Sequence, residues 1–305
     1  MANLKQLATK EEPFSGGHRA CAGCAAPIVT RMVLLAADNP VVCGSATGCL
    51  EVTTSIFPFT SWQVPFIHSA FENSAANVSG VEAAYRSLKR QGKLPADKEI
   101  KFIAFGGDGG TYDIGLQSLS GAMERGHDML YVCYDNEAYM NTGIQRSSAT
   151  PKGANATTSP AGRVIPGKEQ FRKDLTGILA AHNIPYVAQA SVSHWNDLAT
   201  KVPKALAVNG PSFIAVLSPC RLGWGYNPED TVGIAKEAVD SCFWPLYEVV
   251  KGEWKLTYKP KEKTSVLDWM KKQTRFKHLF RPGHEALLAE LQANVDQEWA
   301  KLLKK

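Results

Sequence analysis

The sequence has no long hydrophobic run. Nowhere do its 305 residues contain an uninterrupted apolar stretch as long as a membrane-spanning helix requires, which is roughly 18 to 20 residues. The segment 1–14 carries charges and has no apolar core of the kind found in a signal peptide. We therefore expect a protein that does not enter a membrane and that works in the cytoplasm.

The sequence also lacks a strong charge imbalance. Its formal net charge is only +5, and much of the excess lysine falls in the last fifth of the chain rather than in a stripe interleaved with aromatic residues. This distribution argues against nucleic acid as a partner. A basic surface could guide an acidic electron carrier to the protein, although a run of lysines is more often simply a solvated surface.

Disulfides are not expected in a cytoplasmic chain, so its seven cysteines are better explained as metal ligands or reactive thiols. Cys21 and Cys24 form a C-x-x-C pair, and Cys49 and Cys220 fall in loops near the carboxyl ends of predicted strands. Four such thiolates could hold a 4Fe-4S cluster or a zinc ion, and their spacing leaves both open. The remaining cysteines lie in or beside apolar segments and are predicted to pack as small hydrophobic residues: Cys43, Cys133 and Cys242.

Hydrophobic periodicity predicts alternating strands and helices along most of the chain. Strands are predicted at 40–43, 101–105, 129–134, 186–190 and 212–217, and helices at 28–35, 81–91, 115–124, 170–182 and 195–207. Such alternation is typical of an open, mostly parallel α/β sheet with helices on both faces. Residues 147–169 have no hydrophobic period and are predicted to form a long loop.

The last part of the chain breaks this alternation. A hairpin is predicted around Gly252, and apolar residues recurring every three to four positions predict an amphipathic helix over 285–303. We therefore divide the chain into a cofactor-binding domain, residues 1–250, and a C-terminal hairpin and helical extension, residues 251–305.

The strongest local pattern is a glycine-rich turn between a strand and a helix. The turn contains Gly107, Asp108, Gly109 and Gly110. Asn136 ends the next strand, and 26 residues lie between Gly109 and Asn136. Glycines let the backbone approach phosphate oxygens, and carboxylate and amide oxygens suit magnesium. Both polar residues fall at carboxyl ends of strands, where open α/β sheets bind ligands. The pattern predicts a magnesium-diphosphate site; the alternative is a tight turn whose aspartate caps a helix.

Ordered motifs over nearly the whole chain resemble the beta subunit of multi-subunit pyruvate:ferredoxin oxidoreductase, in the 2-oxoacid:ferredoxin oxidoreductase family. The motifs are Cys-Ala-Gly-Cys (21–24), Thr-Gly-Cys-Leu-Glu (47–51), His-Ser-Ala-Phe-Glu-Asn (68–73), Gly-Gly-Asp-Gly-Gly-Thr-Tyr-Asp-Ile-Gly (106–115), Tyr-Asp-Asn-Glu-Ala-Tyr-Met-Asn-Thr-Gly-Ile-Gln (134–145) and Ser-Pro-Cys (218–220). The spacing from the glycine turn to Asn136 also resembles the thiamine diphosphate motif. One departure is Ala25, where many relatives carry glycine.

The resemblance implies a thiamine diphosphate-binding fold with a loop-borne iron-sulfur site. It implies one 4Fe-4S cluster held by Cys21, Cys24, Cys49 and Cys220. It implies Mg²⁺ held by the side chains of Asp108 and Asn136 and by the carbonyl of Ala138. The catalytic residue is expected to be Asn141, facing the reacting carbon of the cofactor. Cofactor-binding residues are expected to be Cys49, Gly107, Asp108, Gly109, Gly110, Asn136, Ala138 and Asn141.

The resemblance also implies partners. An alpha subunit is expected to supply the glutamate that activates the aminopyrimidine, alongside gamma and ferredoxin-like delta subunits, with ferredoxin as electron acceptor. The expected substrates are pyruvate and coenzyme A, and the expected products are acetyl-CoA and carbon dioxide. Oxalate, branched-chain 2-oxoacids and 2-oxoglutarate are the alternatives to pyruvate.

Two alternative functions from other classes of protein remain. A non-redox thiamine diphosphate decarboxylase or carboligase would keep Asp108 and Asn136 but would use the cysteines for zinc or for packing. A zinc-bearing interaction protein would have no use for the spacing between those two residues.

Overall fold

The structure is a computed structural model that describes residues 3–95, 97 and 99–305. Within these residues eight strands form one sheet in the order β2-β1-β3-β4-β6-β5-β7-β8. The strands are β1 (Val41–Ala46), β2 (Phe66–Ser69), β3 (Lys101–Gly107), β4 (Leu130–Asp135), β5 (Tyr186–Ser191), β6 (Ser212–Leu217), β7 (Tyr247–Val250) and β8 (Glu253–Leu256).

The helices alternate with these strands. They are α1 (Leu4–Ala8), α2 (Ala25–Ala36), α3 (Cys49–Thr54), α4 (Ser74–Arg90), α5 (Leu116–Glu124), α6 (Leu175–Ala181), α7 (Trp195–Ala207), α8 (Arg221–Trp224), α9 (Thr231–Asp240), α10 (Val266–Lys271) and α11 (Glu285–Leu302). A π-helical turn spans Gly109–Ile114, and 3₁₀ segments span Pro228–Asp230 and Thr274–Phe280. In the part of the chain that the structure describes, no helix is long and apolar enough to cross a membrane.

The six strands from β2 to β5 in the sheet order are parallel. Strands β4, β5 and β6 are buried along their whole length, which explains why they read as continuous apolar runs rather than alternating ones. Helix α2 packs against α7, whereas α4 packs against α5 and β3. The predicted open, mostly parallel α/β sheet is confirmed.

The hairpin around Gly252 closes one side of the sheet. Strand β7 runs antiparallel to β5, and β8 runs antiparallel to β7. The two residues between the strands, Lys251 and Gly252, both have positive φ angles, as the tightest hairpin turns require. The division at residues 250 and 251 therefore falls inside this hairpin, and the separation into a domain and an extension stays a prediction.

The parallel order places four loops at one edge of the sheet. Strands β1, β3, β4 and β6 are neighbours, and their carboxyl ends lead respectively to the segments 47–49, 108–110, 136–141 and 218–220. Helix α2 precedes β1, so the helix start and the C-x-x-C pair before it return to the same edge. The topology therefore collects all the predicted site residues on one side of the molecule.

Candidate cofactor and metal site

One cleft at the carboxyl edge of the sheet brings together the residues predicted to bind cofactor. Its lining includes Cys49, Gly107, Asp108, Gly109, Gly110, Asn136, Ala138 and Asn141. They lie at or directly after the carboxyl ends of β1, β3 and β4, so the fold alone makes them neighbours. Asn141 is exposed at the mouth, whereas Asp108 is fully buried at the base.

Three oxygen-bearing groups converge at the base of the cleft. The Asn136 amide can take two orientations of the same shape. With its nitrogen toward Asp108, it donates to Asp108 Oδ1 at 2.9 Å and to the Ala138 carbonyl oxygen at 2.8 Å. With the amide oxygen of Asn136 in that place, it faces Asp108 Oδ1 and the Ala138 carbonyl oxygen. Three oxygens so close together are favourable only around a cation. The donor set therefore fits Mg²⁺, which prefers oxygen ligands.

Asp108 lies in an environment that disfavours its charge. Burial, and next the nearby Asp135 carboxylate, raise the pKa of Asp108 well above its usual range. The Ser147 hydroxyl donates to its Oδ2, and the backbone N–H of Asn136 donates to Oδ1 at 3.3 Å. These bonds only partly offset the cost of burying the carboxylate, so a bound cation would complete the compensation.

The glycine turn permits very close packing above Asp108. A Cβ atom on Gly109 would lie 2.5 Å from the ring of Tyr139, and one on Gly110 would lie 2.9 Å from the backbone oxygen of Phe71. The rings of Phe71 and Tyr139 stack with centroids 5.6 Å apart. Any side chain in this turn would displace the walls of the cleft.

The four predicted cluster cysteines are gathered at the same edge. Cys24 immediately precedes α2, Cys49 begins α3, and Cys220 immediately precedes α8. The backbone N–H of Cys24 donates to the Cys21 carbonyl at 3.0 Å, which closes the C-x-x-C turn. Three of these thiols therefore sit at the start of a helix, where amide groups point toward them.

The electrostatics of the four thiols link them to one another. Burial, and to a smaller extent the thiols of Cys220 and Cys21, raise the pKa of Cys24 to about 11. Burial, and then the other three thiols, raise the pKa of Cys49 to about 12. Without a metal the thiols of Cys24 and Cys49 are therefore protonated at neutral pH, and a cationic centre would be needed to ionise them.

Burial raises the pKa of both Cys24 and Cys220. Nearby backbone amides oppose this effect, that of Ala26 for Cys24 and those of Gly223 and Leu222 for Cys220. Among the described residues, no group of three or more His, Cys, Asp or Glu side chains is arranged to hold a single metal ion.

The other cysteines are buried, as predicted for structural residues. Cys43 and Cys133 are fully inaccessible within β1 and β4, and Cys242 is 4% exposed.

The enclosed volume of the cleft is small. It is about 30 Å³, whereas cofactor-sized ligands occupy sites of roughly 300 Å³ or more. A larger cavity of about 420 Å³ lies beneath α11, and its lining includes none of the predicted site residues.

A buried ionic network beneath the cleft was not predicted from the sequence. Arg172 bonds Asp135 at 2.7 Å and Glu137 at 3.0 Å, and Arg275 bonds Glu137 at 2.6 Å. The sequence signals for it are the acidic residues on either side of Asn136, namely Asp135 and Glu137. Both arginines come from distant segments without a recognisable motif.

The chain is similar to known proteins along most of its length. Residues 43–216 match the family model of the thiamine pyrophosphate enzyme, C-terminal TPP binding domain. Pyruvate synthase subunit PorB of Thermotoga maritima is 54% identical over 99% of this chain and 95% of its own length. Ketoisovalerate oxidoreductase subunit VorB of Pyrococcus abyssi is 40% identical over 96% of this chain and 93% of its own length.

A solved structure has the same fold. It is a 2-oxoglutarate:ferredoxin oxidoreductase from Magnetococcus marinus, with a TM-score of 0.56 and 18% identity over 70% of this chain and 69% of that chain.

These matches and the cleft define the class: the chain belongs to the thiamine pyrophosphate enzymes, thiamine pyrophosphate being another name for thiamine diphosphate. Within that class it belongs to the 2-oxoacid oxidoreductases, in the family of the PorB subunits of pyruvate synthase. The family resemblance drawn from the sequence motifs is confirmed.

Proposed function

We propose that this chain is the thiamine diphosphate and 4Fe-4S subunit of a pyruvate:ferredoxin oxidoreductase, EC 1.2.7.1. The enzyme would convert pyruvate and coenzyme A to acetyl-CoA and carbon dioxide, reversibly, with the electrons passing to ferredoxin. The observation that carries the proposal is the 54% identity to a PorB subunit along 99% of the chain. The convergence of Asp108, Asn136 and Ala138 in one cleft supports it independently.

Pyruvate is the favoured substrate because the relative named for it is more similar than the one named for ketoisovalerate, at 54% against 40% identity. A branched-chain 2-oxoacid is therefore the second candidate. Oxalate and 2-oxoglutarate come after it, since the likeness to the 2-oxoglutarate enzyme concerns the fold alone.

The proposed magnesium ligands are the side chains of Asp108 and Asn136 and the carbonyl of Ala138. Ser147 holds Asp108 by a hydrogen bond, which fixes the carboxylate toward the cleft. Gly109 and Gly110 leave backbone, rather than side chains, facing the diphosphate. When bound, thiamine diphosphate supplies the carbanion chemistry that a 2-oxoacid decarboxylation needs, and the cluster accepts the electrons.

Asn141 is the proposed catalytic residue of this chain. It lies on the loop after β4 and lines the same cleft as Asp108, with its side chain exposed at the mouth. An exposed carboxamide at that position could orient the polar groups of an incoming 2-oxoacid.

The proposed cluster ligands are Cys21, Cys24, Cys49 and Cys220. Cys49 also lines the cofactor cleft, which supports a short distance between the cluster and the reacting group. Zinc at the same four thiols is the alternative, and it would leave the enzyme without an electron acceptor.

The remaining parts of the enzyme would come from partner subunits. The cavity of about 30 Å³ in this cleft is smaller than the cofactor needs, which supports a facing surface that completes the site. We assign that surface to an alpha subunit carrying the glutamate that activates the aminopyrimidine. Gamma and ferredoxin-like delta subunits would relay the electrons to ferredoxin, and the complex would work in the cytoplasm.

The test is metal analysis and spectroscopy on the anaerobically purified complex of this chain with its co-purifying subunits. Iron, acid-labile sulfide and zinc are measured for the wild type and for Cys220→Ser, so that their difference reports the metal held by this chain. We expect a loss of about four iron atoms per chain in the variant. In the wild type, pyruvate with coenzyme A should bleach the visible absorption.

The same sample separates the alternatives. If 2-oxoisovalerate, oxalate or 2-oxoglutarate bleached the absorption in preference to pyruvate, that acid and not pyruvate would be the substrate. A colourless complex that contains zinc and still binds thiamine diphosphate would overturn the redox function in favour of a non-redox decarboxylase or carboligase.

A further inference from the structure

The loop that carries two of the proposed magnesium ligands is anchored by residues far from it in sequence. Trp224, the last residue of α8, donates its indole N–H to the Asn136 carbonyl at 2.8 Å. The hydroxyl of Thr150 donates to the Glu137 carbonyl at 2.6 Å. The backbone of this loop is therefore held from outside on both sides of Glu137.

Glu137 has an unusual backbone and a fully buried side chain. Its φ angle is +69°, a conformation that residues with a Cβ rarely adopt. Its carboxylate is shared between two guanidinium groups, with Oε1 3.0 Å from Arg172 and Oε2 2.6 Å from Arg275. A conformation of this kind persists only where surrounding contacts impose it.

Arg275 lies where it can impose this backbone conformation on Glu137. The residue lies in the 3₁₀ segment Thr274–Phe280 of the C-terminal part, is 5% exposed, and receives a fixed orientation from the bond between its Nε and Gln273 Oε1 at 2.9 Å. Its guanidinium lies over the indole of Trp224, with 4.0 Å between the guanidinium carbon and the ring centroid. One planar group therefore contacts both Glu137 and Trp224.

Trp224 connects the same arginine to the cysteine side of the site. It closes the short helix α8 that begins directly after Cys220, and its own backbone N–H donates to the Cys220 carbonyl at 2.9 Å. Arg275 and Trp224 both lie beyond residue 216, where the match to the thiamine pyrophosphate enzyme family ends.

We propose that Arg275 is a positioning residue that fixes the magnesium-binding loop through Glu137 and couples that loop to the Cys220 segment through Trp224. This inference rests on the proposed magnesium and cluster sites. Arg275 is not among the residues that line the cofactor cleft. In this role it determines the positions of the Asn136 side chain and the Ala138 carbonyl. Residues that orient metal ligands in this way typically change metal affinity by about 10-fold to 100-fold when they are removed.

The experiment compares Arg275→Met, Arg275→Lys and Lys101→Met in the co-purified complex. Lys101 is the matched control, since it is another buried cation, 8% exposed and paired with Glu99 at 2.7 Å, but at the opposite edge of the sheet. Three quantities are measured: the Mg²⁺ affinity in the presence of thiamine diphosphate, the electron paramagnetic resonance spectrum of the reduced cluster, and the thermal unfolding midpoint.

We expect Arg275→Met to weaken Mg²⁺ binding by about 10-fold to 100-fold and to alter the cluster spectrum. Lys101→Met should leave both unchanged, whatever it does to the unfolding midpoint. Arg275→Lys keeps the charge but loses the planar fork, so it should fold as the wild type does and show a smaller loss of Mg²⁺ affinity.

Unchanged Mg²⁺ affinity in Arg275→Met and Arg275→Lys, with only a lower unfolding midpoint, would overturn the positioning role. An unchanged cluster spectrum alongside weakened Mg²⁺ binding would overturn the coupling to the Cys220 segment. If the wild-type complex itself bound no thiamine diphosphate with Mg²⁺, the failure would lie in the proposed function and not in Arg275.

Discussion

A Cβ atom on Gly23 would lie 2.5 Å from the carbonyl oxygen of Pro228. The C-x-x-C turn thus meets the segment after Cys220 backbone against backbone, and Thr231 Oγ1 donates to the Gly23 carbonyl at 2.7 Å. Gly23 also has a φ angle of +73°, which favours glycine. Its lack of a side chain lets Cys21 and Cys24 approach Cys220.

Gly23→Ala should therefore damage the proposed cluster. The methyl group would force the turn away from Pro228, and the left-handed backbone adds a cost of about 1 kcal/mol or more. We expect less than about half of the wild-type iron content in the anaerobic complex. Gly16→Ala is the control, because nothing lies within 4 Å of a Cβ there and its φ is not positive. Full iron occupancy in Gly23→Ala would contradict this account.

Asp108→Asn should weaken cofactor binding without removing the proposed cluster. Removing the carboxylate should weaken Mg²⁺-dependent binding of thiamine diphosphate by about 100-fold or more while the iron content is retained. Titration calorimetry on the complex checks the first effect, and iron analysis checks the second. Asp128→Asn, a partly exposed site paired with Lys101, serves as the control. Wild-type cofactor affinity in Asp108→Asn would show that the magnesium site is misplaced.

The same variant should not destabilise the metal-free protein. The pKa of Asp108 is raised mainly by burial, so between its unfolded and folded pKa values the native state binds more protons than the unfolded state. Stability then falls as pH rises through that window, so burial of this carboxyl group opposes folding at pH values above its unfolded pKa. We expect metal-free Asp108→Asn to unfold at pH 7 at the wild-type temperature or above it. A markedly lower midpoint would count against this electrostatic description.

Cys220→Ser should remove iron without removing the magnesium site. The thiol lies directly before α8, whereas Asp108 follows β3, so the two ligand sets depend on different segments. We expect iron and sulfide to fall while Mg²⁺-dependent cofactor affinity stays within about threefold of wild type. Cys242→Ser replaces a buried thiol outside the site and should keep its iron. Undiminished iron in Cys220→Ser would refute the four-cysteine assignment.

Lys201 should make the free energy of unfolding depend on pH above neutrality. Burial lowers its pKa from 10.5 to about 8, opposed by its ion pair with Asp197 at 2.6 Å. Between those two values the unfolded state binds more protons than the native state, so stability rises with pH. Thermal unfolding between pH 7 and pH 10.5 should show this rise in the wild type, and Lys201→Met should flatten it. An equal rise in the variant would assign it to another group.

The sequence was most informative where a local pattern is strong. The helix predicted over 195–207 has the bounds of α7, and the strand predicted over 212–217 has those of β6, because both have clear periods or uniform apolar character. Helix α4 instead begins at Ser74, seven residues before the predicted start at 81. Its first turns are rich in small residues that are buried against the sheet although they carry little hydrophobic signal. Helix α9 was not predicted.

The site was predictable only as far as its motifs extended. The glycine turn and the cysteines belong to short ordered motifs, so the residues of the cleft could be named in advance. The partners of Glu137 could not, because Arg275 lies 138 residues away and Arg172 lies 35 residues away, in segments without a motif. Only the fold brings these charges together.

The contact between Gly23 and Thr231 joins residues 208 positions apart in the chain. A ribosome synthesises the chain from its amino end, so Cys21 and Cys24 emerge long before Cys220 and the segment that packs against them. The four thiols cannot be brought together until the chain has been made at least as far as residue 220. Loading of a cluster at this position would therefore follow translation of that segment.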